Sequence, residues 1–473
     1  MHWHLESHAQ SKRRVKLAYL FTAPILAALF YWLHRQAIGL QAPSHGSTPT
    51  RPLAGATAHP DVILHLLLAL VTILVVAQIF GALARLVGQP PVIGEVIAGI
   101  ALGPSLLGRV SPAAAGYLFP DLVFPQLSAI SQVGVILFMF LLGAELDTTL
   151  LRKHTHAALA ISHASIVVPF ALAGFFSLWL YPRYASPGVS FENFAAFMGV
   201  AMSITAFPVL ARVLTDRALH KTPLGLLAIS CAAIDDATAW CLLALLVGFY
   251  RANAASAFWT VALTPLYVAA LAIFVRPYLT RITLRQDVRG TLPAHAVPAT
   301  LAALLISALI TESIGIHAIF GAFVFGALIP HQSLLARKLS EKLEDVVLLL
   351  LLPAFFACTG MRTELGLLGS AGEWLACLLA LGVASAGKIG GSIVGARLSG
   401  LGWRDSASVG ALMNARGLME LVVLNVGLEL GVISRTVFAM MVLMAVGTTL
   451  ATAPLLTWLQ RRREQVVLAA TAH

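Results

Sequence analysis

Charge is what this chain lacks most. Of its 473 residues only 11% are Asp, Glu, Lys or Arg, while 59% are hydrophobic, and the mean hydropathy is +0.86. Soluble domains carry roughly 25% charged residues, and no stretch here is polar enough to form one, so lipid is the solvent this sequence suits. Cysteine is also scarce. Cys231, Cys241, Cys358 and Cys377 all fall inside apolar runs, without metal-ligand spacing or a paired framework, which excludes a disulfide scaffold. His2, His4 and His8 are too irregularly placed for a metal site and read as part of a tail. The net charge of +10 does not point to nucleic acid: the basic residues sit in short loops, with no aromatic platform between them.

Long apolar runs are what the chain has in abundance. About 20 apolar residues cross a bilayer as a helix. The first such run lies near 17–33, behind Lys12, Arg13, Arg14 and Lys16, and reads as a retained anchor helix rather than a cleaved signal. Thirteen more follow near 62–86, 91–107, 126–147, 155–181, 193–214, 224–250, 257–279, 295–313, 316–330, 345–361, 374–396, 406–431 and 436–459. This divides the chain into a basic tail, extra span and linker (1–61), a membrane domain (62–460) and a short tail (461–473). With both termini cytoplasmic, the loops holding Arg152, Lys153, Arg217, Lys221, Arg281, Arg285, Arg337 and Lys338 all fall inside, as the positive-inside rule requires.

The two halves repeat. The segment from Gly199 to Leu210 aligns without gaps on Gly410 to Leu421, pairing Thr205 with Arg416. Upstream, Gly143 to Leu151 aligns on Gly360 to Leu368, with Asp147 opposite Glu364. Seven spans separate each matched pair, so the copies run in opposite directions, as in transporters that bind their ion between two broken helices at mid-membrane. The matched segments carry helix-breaking groups. Pro208 deprives the Ile204 carbonyl of its donor and Thr205 offers a hydroxyl nearby, while Asn414, Arg416 and Gly417 supply the counterpart. Arg416 and Glu420 are expected to neutralise the exposed dipole ends rather than to bind the transported ion.

Asp235 and Asp236 lie midway along the span at 224–250. An ionisable residue there costs at least a few kcal/mol, and two would also repel each other, so a function is the default reading. A site of this kind holds a proton or a cation, but not readily both. Lys388, deep in its own span among small residues, needs an acidic partner, for which Asp235 is the candidate. Glu95, near a cytoplasmic helix end, is a candidate for collecting cations in a funnel.

Taken together, Gln89-Pro-Pro-Val-Ile-Gly-Glu-Val-Ile-Ala-Gly, Leu141-Leu-Gly-Ala-Glu-Leu-Asp, Ser203-Ile-Thr-Ala-Phe-Pro, Ile234-Asp-Asp-Ala-Thr-Ala-Trp and Asn414-Ala-Arg-Gly-Leu-Met-Glu-Leu resemble the monovalent cation:proton antiporter-2 family of sodium/proton and potassium/proton exchangers. The resemblance covers residues 62–460. It implies an all-α polytopic membrane protein with a sodium/proton-antiporter-like fold, inverted-topology repeats, two crossing discontinuous helices and thirteen core helices in a homodimer. It implies exchange of Na+ or K+ for protons, with no cofactor, in a bacterial inner membrane and in the service of pH homeostasis. The ion would bind on Asp236 with Asp235 and Thr205 alongside, and Lys388 would pair with Asp235. The double aspartate implies electrogenic exchange, two protons per cation. The chain departs from larger members in showing no nucleotide-binding domain after the last span, which argues against a ligand-gated potassium efflux antiporter.

Two other classes compete. A proton-uncoupled cation channel could use carboxylates for selection, but the paired broken helices argue against it. An intramembrane aspartyl protease needs two aspartates on facing helices, whereas these are adjacent on one, so the chain is not read as an enzyme.

Overall fold

A computed structural model describes residues 28–29, 31–37, 40–41, 62–145, 155–216, 219, 222–251, 254–314 and 317–471. Within it each of the thirteen later spans becomes a helix or a pair of half-helices. These are α1 (Val62–Leu86), α2 (Pro91–Leu102), α3 (Phe124–Glu145), α4 (Thr155–Tyr184), α5a (Phe191–Ala201) with α5b (Phe207–Asp216), and α6 (Pro223–Arg251). There follow α7 (254–289), α8 (Ala296–Ile314), α9 (Ala318–Leu328), α10 (334–361), α11 (Ala371–Leu398), α12a (Trp403–Met413) with α12b (Leu418–Glu429), and α13 (Arg435–Thr471). Among the described residues nine of these are long and apolar enough to cross a membrane singly, and α2 reaches that length only together with the short helix after it (Pro91–Val110); α9 is shorter, and α5 and α12 are each interrupted. The chain is an integral membrane protein.

Several boundaries differ from expectation. The span near 91–107 stops at Leu102, and a short helix, Leu107–Val110, follows the Gly103-Pro104 turn. Three helices outrun their apolar parts: α7 reaches Arg289, α10 starts at Leu334, and α13 continues through most of the expected tail. Hydropathy marks where a helix meets lipid, whereas backbone hydrogen bonding carries it on into water. Both α7 and α10 widen into a π-turn, at Leu271–Val275 and Val347–Leu351. The cause is a proline two residues on, Pro277 or Pro353, which has no N–H for the carbonyl four residues back. Most of the span near 17–33 lies outside the described residues, as does Asp147. The helical stretch at 31–37 buries Leu33 and Ala37, and His34 pairs with Glu192 of α5a at 2.8 Å.

Contacts sort the helices into two bundles. One, the scaffold, holds α1, α2, α3, α8, α9 and α10; the other, the core, holds α4, α5, α6, α11, α12 and α13; α7 runs between them. The repeat is visible in this division, because each bundle takes matching helices from both halves. The second half-helices begin at Phe207 and Leu418, which are aligned positions of the repeat.

Candidate ion site at the helix crossing

The tightest packing in the core is between α4 and α11. Gly387, Gly391 and Gly395 recur every fourth residue on α11, and a Cβ at any of them would strike α4 at Pro169, Ala164 or Ile161. This stripe of small residues lets the two backbones approach. Close approach brings Lys388, next to the first glycine, against Ser165 on α4 and Asp235 on α6.

Asp235 is fully enclosed and fully partnered. Lys388 Nζ donates to its Oδ2 at 2.6 Å and Thr205 Oγ1 donates to the same oxygen at 2.8 Å. Ser162 Oγ donates to Oδ1 at 2.5 Å, and Ser165 Oγ lies 3.2 and 3.0 Å from the two oxygens. Lys388 uses its remaining two hydrogens on the Ser203 carbonyl at 2.5 Å and Ser165 Oγ at 3.3 Å. A buried ion pair is tolerated only when its spare donors and acceptors are satisfied in this way.

Asp236 is equally buried but unlike its neighbour. About 100° further round α6, it is 1% exposed, and neither of its oxygens has a hydrogen-bond partner among the described residues. The Phe207 backbone N–H, at the head of α5b, lies near this carboxyl but makes no hydrogen bond to it.

The two interrupted helices cross through their main chains. Ala206 N donates to the Ala415 carbonyl at 3.0 Å, and Thr205 Oγ1 lies 3.0 Å from the Met413 carbonyl. Gly417 permits the crossing, since a Cβ there would run into Val209. At the carboxyl end of α5a, Arg416 donates to the Ala201 carbonyl at 3.1 Å and the Met202 carbonyl at 2.6 Å, and Lys388 takes Ser203. Two cations thus meet the negative end of one half-helix, while Glu420, 3.3 Å from Arg416, sits in the first turn of α12b at its positive end. Asn414 Oδ1 and Glu420 Oε1 are buried without partners among the described residues.

Glu95 stands apart from this cluster, in the wall of a cavity of about 690 Å³. Arg85, Glu145 and Glu344 share that wall, and Phe207 belongs to it as well, so one residue borders both the cavity and Asp236. Asp236 itself does not line the cavity.

The structure therefore gathers Asp235, Lys388 and Thr205 in one hydrogen-bonded group and sets Asn414, Arg416, Gly417 and Glu420 at the crossing. Pro208 needs correction. The interruption spans 202–206, and Pro208 falls in the first turn of α5b, where a missing N–H costs no helical bond. The proline stops a helix from running through Ile204, but it starts the second half rather than occupying the break. Sequence reasoning missed Ser162 and Ser165. Their signal was a pair of hydroxyls three apart, hence on one face of an apolar helix, which looks the same as ordinary back-bonding to the helix until the facing residue is known.

Comparison with known proteins agrees with this fold. Residues 66–459 match the family model described as "Sodium/hydrogen exchanger, transmembrane". The chain is 43% identical to the Na(+)/H(+) antiporter NhaS4 of Synechocystis over 84% of its own length and 97% of that protein's. It is 40% identical to cation/H(+) antiporter 18 of Arabidopsis thaliana and 36% identical to K(+)/H(+) antiporter 1 of Saccharomyces cerevisiae. Over those two alignments it covers 82% and 81% of its own length but only 48% and 45% of theirs. Among solved structures, the sodium proton antiporter MjNhaP1 from Methanocaldococcus jannaschii superposes with a TM-score of 0.61 at 14% identity, covering 84% of this chain and 97% of that one. With a family model spanning most of the chain and a relative matched nearly end to end, this chain belongs to the transmembrane sodium/hydrogen exchanger family.

Proposed function

We propose that the protein exchanges a monovalent cation, Na+ or K+, for protons by alternating access, with cation and proton competing at Asp236. One observation carries this reading. Among the described residues the buried charged side chains are Asp235, Asp236, Glu420, Lys388 and Arg416. Lys388 pairs with Asp235 and Arg416 with Glu420, which leaves Asp236 as the one carboxyl without a cation. An ionised carboxylate so placed is costly, and either a proton or a bound cation relieves it. Asp235, Thr205 and the unpartnered Asn414 Oδ1 are the candidate oxygen ligands that would complete a cation site.

Exchange of two protons per cation needs a second proton, and Lys388 is its source in this reading. As the pair with Asp235 opens, Lys388 releases its proton and Asp235 turns to the cation. Ser162, Ser165 and Thr205 would then hold the freed carboxylate. The names of the relatives include both a Na(+)/H(+) and a K(+)/H(+) antiporter, which supports the reaction class and leaves the cation as either. We place the protein in a bacterial inner membrane with both termini cytoplasmic, as a homodimer formed through the scaffold, whose α1 carries exposed Ile63, Leu67, Val71, Val75, Ile79 and Leu83 in one row.

The test is direct. Proteoliposomes with an imposed pH gradient and an internal pH dye should lose the gradient on addition of Na+ or K+. Cation flux that leaves internal pH unchanged would rule exchange out.

A further inference from the structure

The two bundles meet very differently at their two ends. One end holds the large cavity, walled by the last turns of α1 and α3, the start of α2 and the middle of α10, from Glu344 to Phe356. There, Gln89 Nε2 reaches across to the Leu450 carbonyl at 3.4 Å, long for a hydrogen bond. The other end is shut by a dense polar contact. Arg362, just after α10 in the scaffold, donates from Nη1 to Asn425 Oδ1 and Glu429 Oε1 of α12b, each at 3.0 Å, and from Nη2 to Ser128 Oγ of α3 at 3.2 Å. Asn425 Nδ2 donates back to Thr359 Oγ1 of α10 at 2.9 Å. Beside this group Arg435, the first residue of α13, pairs at 3.2 Å with Glu364, in the connection leaving α10, which Ser105 next to α2 holds to the scaffold through the Thr363 carbonyl and the Leu365 N–H. Ser128 and Glu145 mark the two ends of α3, about 25 Å apart at 1.5 Å per residue.

The two ion pairs are reciprocal. In one the scaffold gives the arginine and the core the glutamate, and in the other the roles are exchanged. All four side chains are partly hydrated, and such pairs are individually weak. Asn425, by contrast, is buried, so its bonds to Arg362 and Thr359 are shielded. Contacts of this strength hold two bodies together and still let go.

We propose that Arg362–Glu429, Arg435–Glu364 and Asn425 form a releasable lock between the bundles. It keeps this end shut while the cavity end is open, and it separates when the core moves to expose Asp236 on the opposite side. The proposal rests on the alternating-access reading above, and its test is independent of transport. A reporter cysteine replaces Leu348 in the cavity wall, with the native cysteines changed to serine, and a membrane-impermeant maleimide is added from the cavity side of vesicles.

Arg362→Ala combined with Arg435→Ala should lower the labelling rate at least threefold, because fewer molecules hold the cavity open. Arg362→Glu combined with Glu429→Arg should restore it to within twofold of the parent. An unchanged rate in the alanine variant, or a lowered rate that the charge exchange leaves unrestored, overturns the lock. If Arg362→Ala does not yield folded protein, Glu364→Gln, at the more exposed pair, is read by the same criteria. A changed labelling rate in a protein that moves no protons would instead remove the exchange reading and leave the lock standing.

Discussion

Arg416 of one interrupted helix donates to the Met202 carbonyl of the other at 2.6 Å, so the break in α5 is closed by a side chain from its counterpart. The arginine is wholly buried, its own N–H and carbonyl are tied to Thr449 Oγ1, and Glu420 balances its charge. Arg416→Ala should therefore act on folding first. It strands Glu420 and two carbonyls, and breaking a buried pair from one side costs about 3–5 kcal/mol. Thermal unfolding in detergent should show a large fall in Tm. Glu420→Gln, which keeps an acceptor beside the arginine, should fall less; equal losses would contradict the dipole-end role.

Asp236→Asn should abolish exchange without a comparable loss of stability. The amide removes the exchangeable proton and the carboxylate's charge, yet breaks no bond, since the carboxyl has no partner among the described residues. Proton flux in proteoliposomes and Tm measured together check this. Retained exchange at the parent rate would end the assignment of Asp236 as carrier.

Lys388→Gln should leave residual exchange and remove its dependence on membrane potential. Glutamine can still donate to Asp235 or the Ser203 carbonyl, but it carries no proton to release. Exchange rates measured with and without an imposed potential would decide. A variant whose rate still follows the potential as the parent's does would place the second proton elsewhere.

Ser162→Ala with Ser165→Ala should weaken both the fold and the site. Hydrogen bonds to a charged group are worth about 1.5–3 kcal/mol each, and Asp235 would keep only Lys388 and Thr205. A lower Tm together with a higher KM for the cation is expected. An unchanged KM would make the serines packing residues only.

Much of this molecule was legible before any coordinates. Hydropathy located the thirteen helices because lipid leaves backbone groups no partner outside the helix, so apolar length and helix coincide. The gapless match of 199–210 on 410–421 located both breaks, and the cost of burying charge singled out Asp235, Asp236, Lys388, Arg416 and Glu420. These inferences need only local chemistry and the solvent.

What tertiary structure decided was partnership. Adjacent aspartates on one helix are equivalent in sequence; only the approach of α4 and α11 along the glycine stripe gives Asp235 a lysine and two hydroxyls, to which Thr205 in the break of α5 adds a third, while Asp236 is left without a partner among the described residues. Ser162 and Ser165 meet Asp235 for the same reason, and the packing of the two bundles brings Arg362 to Asn425. A sequence states the cost of a buried polar group, but which group offsets it depends on helices far apart in the chain, and that is fixed only when they pack.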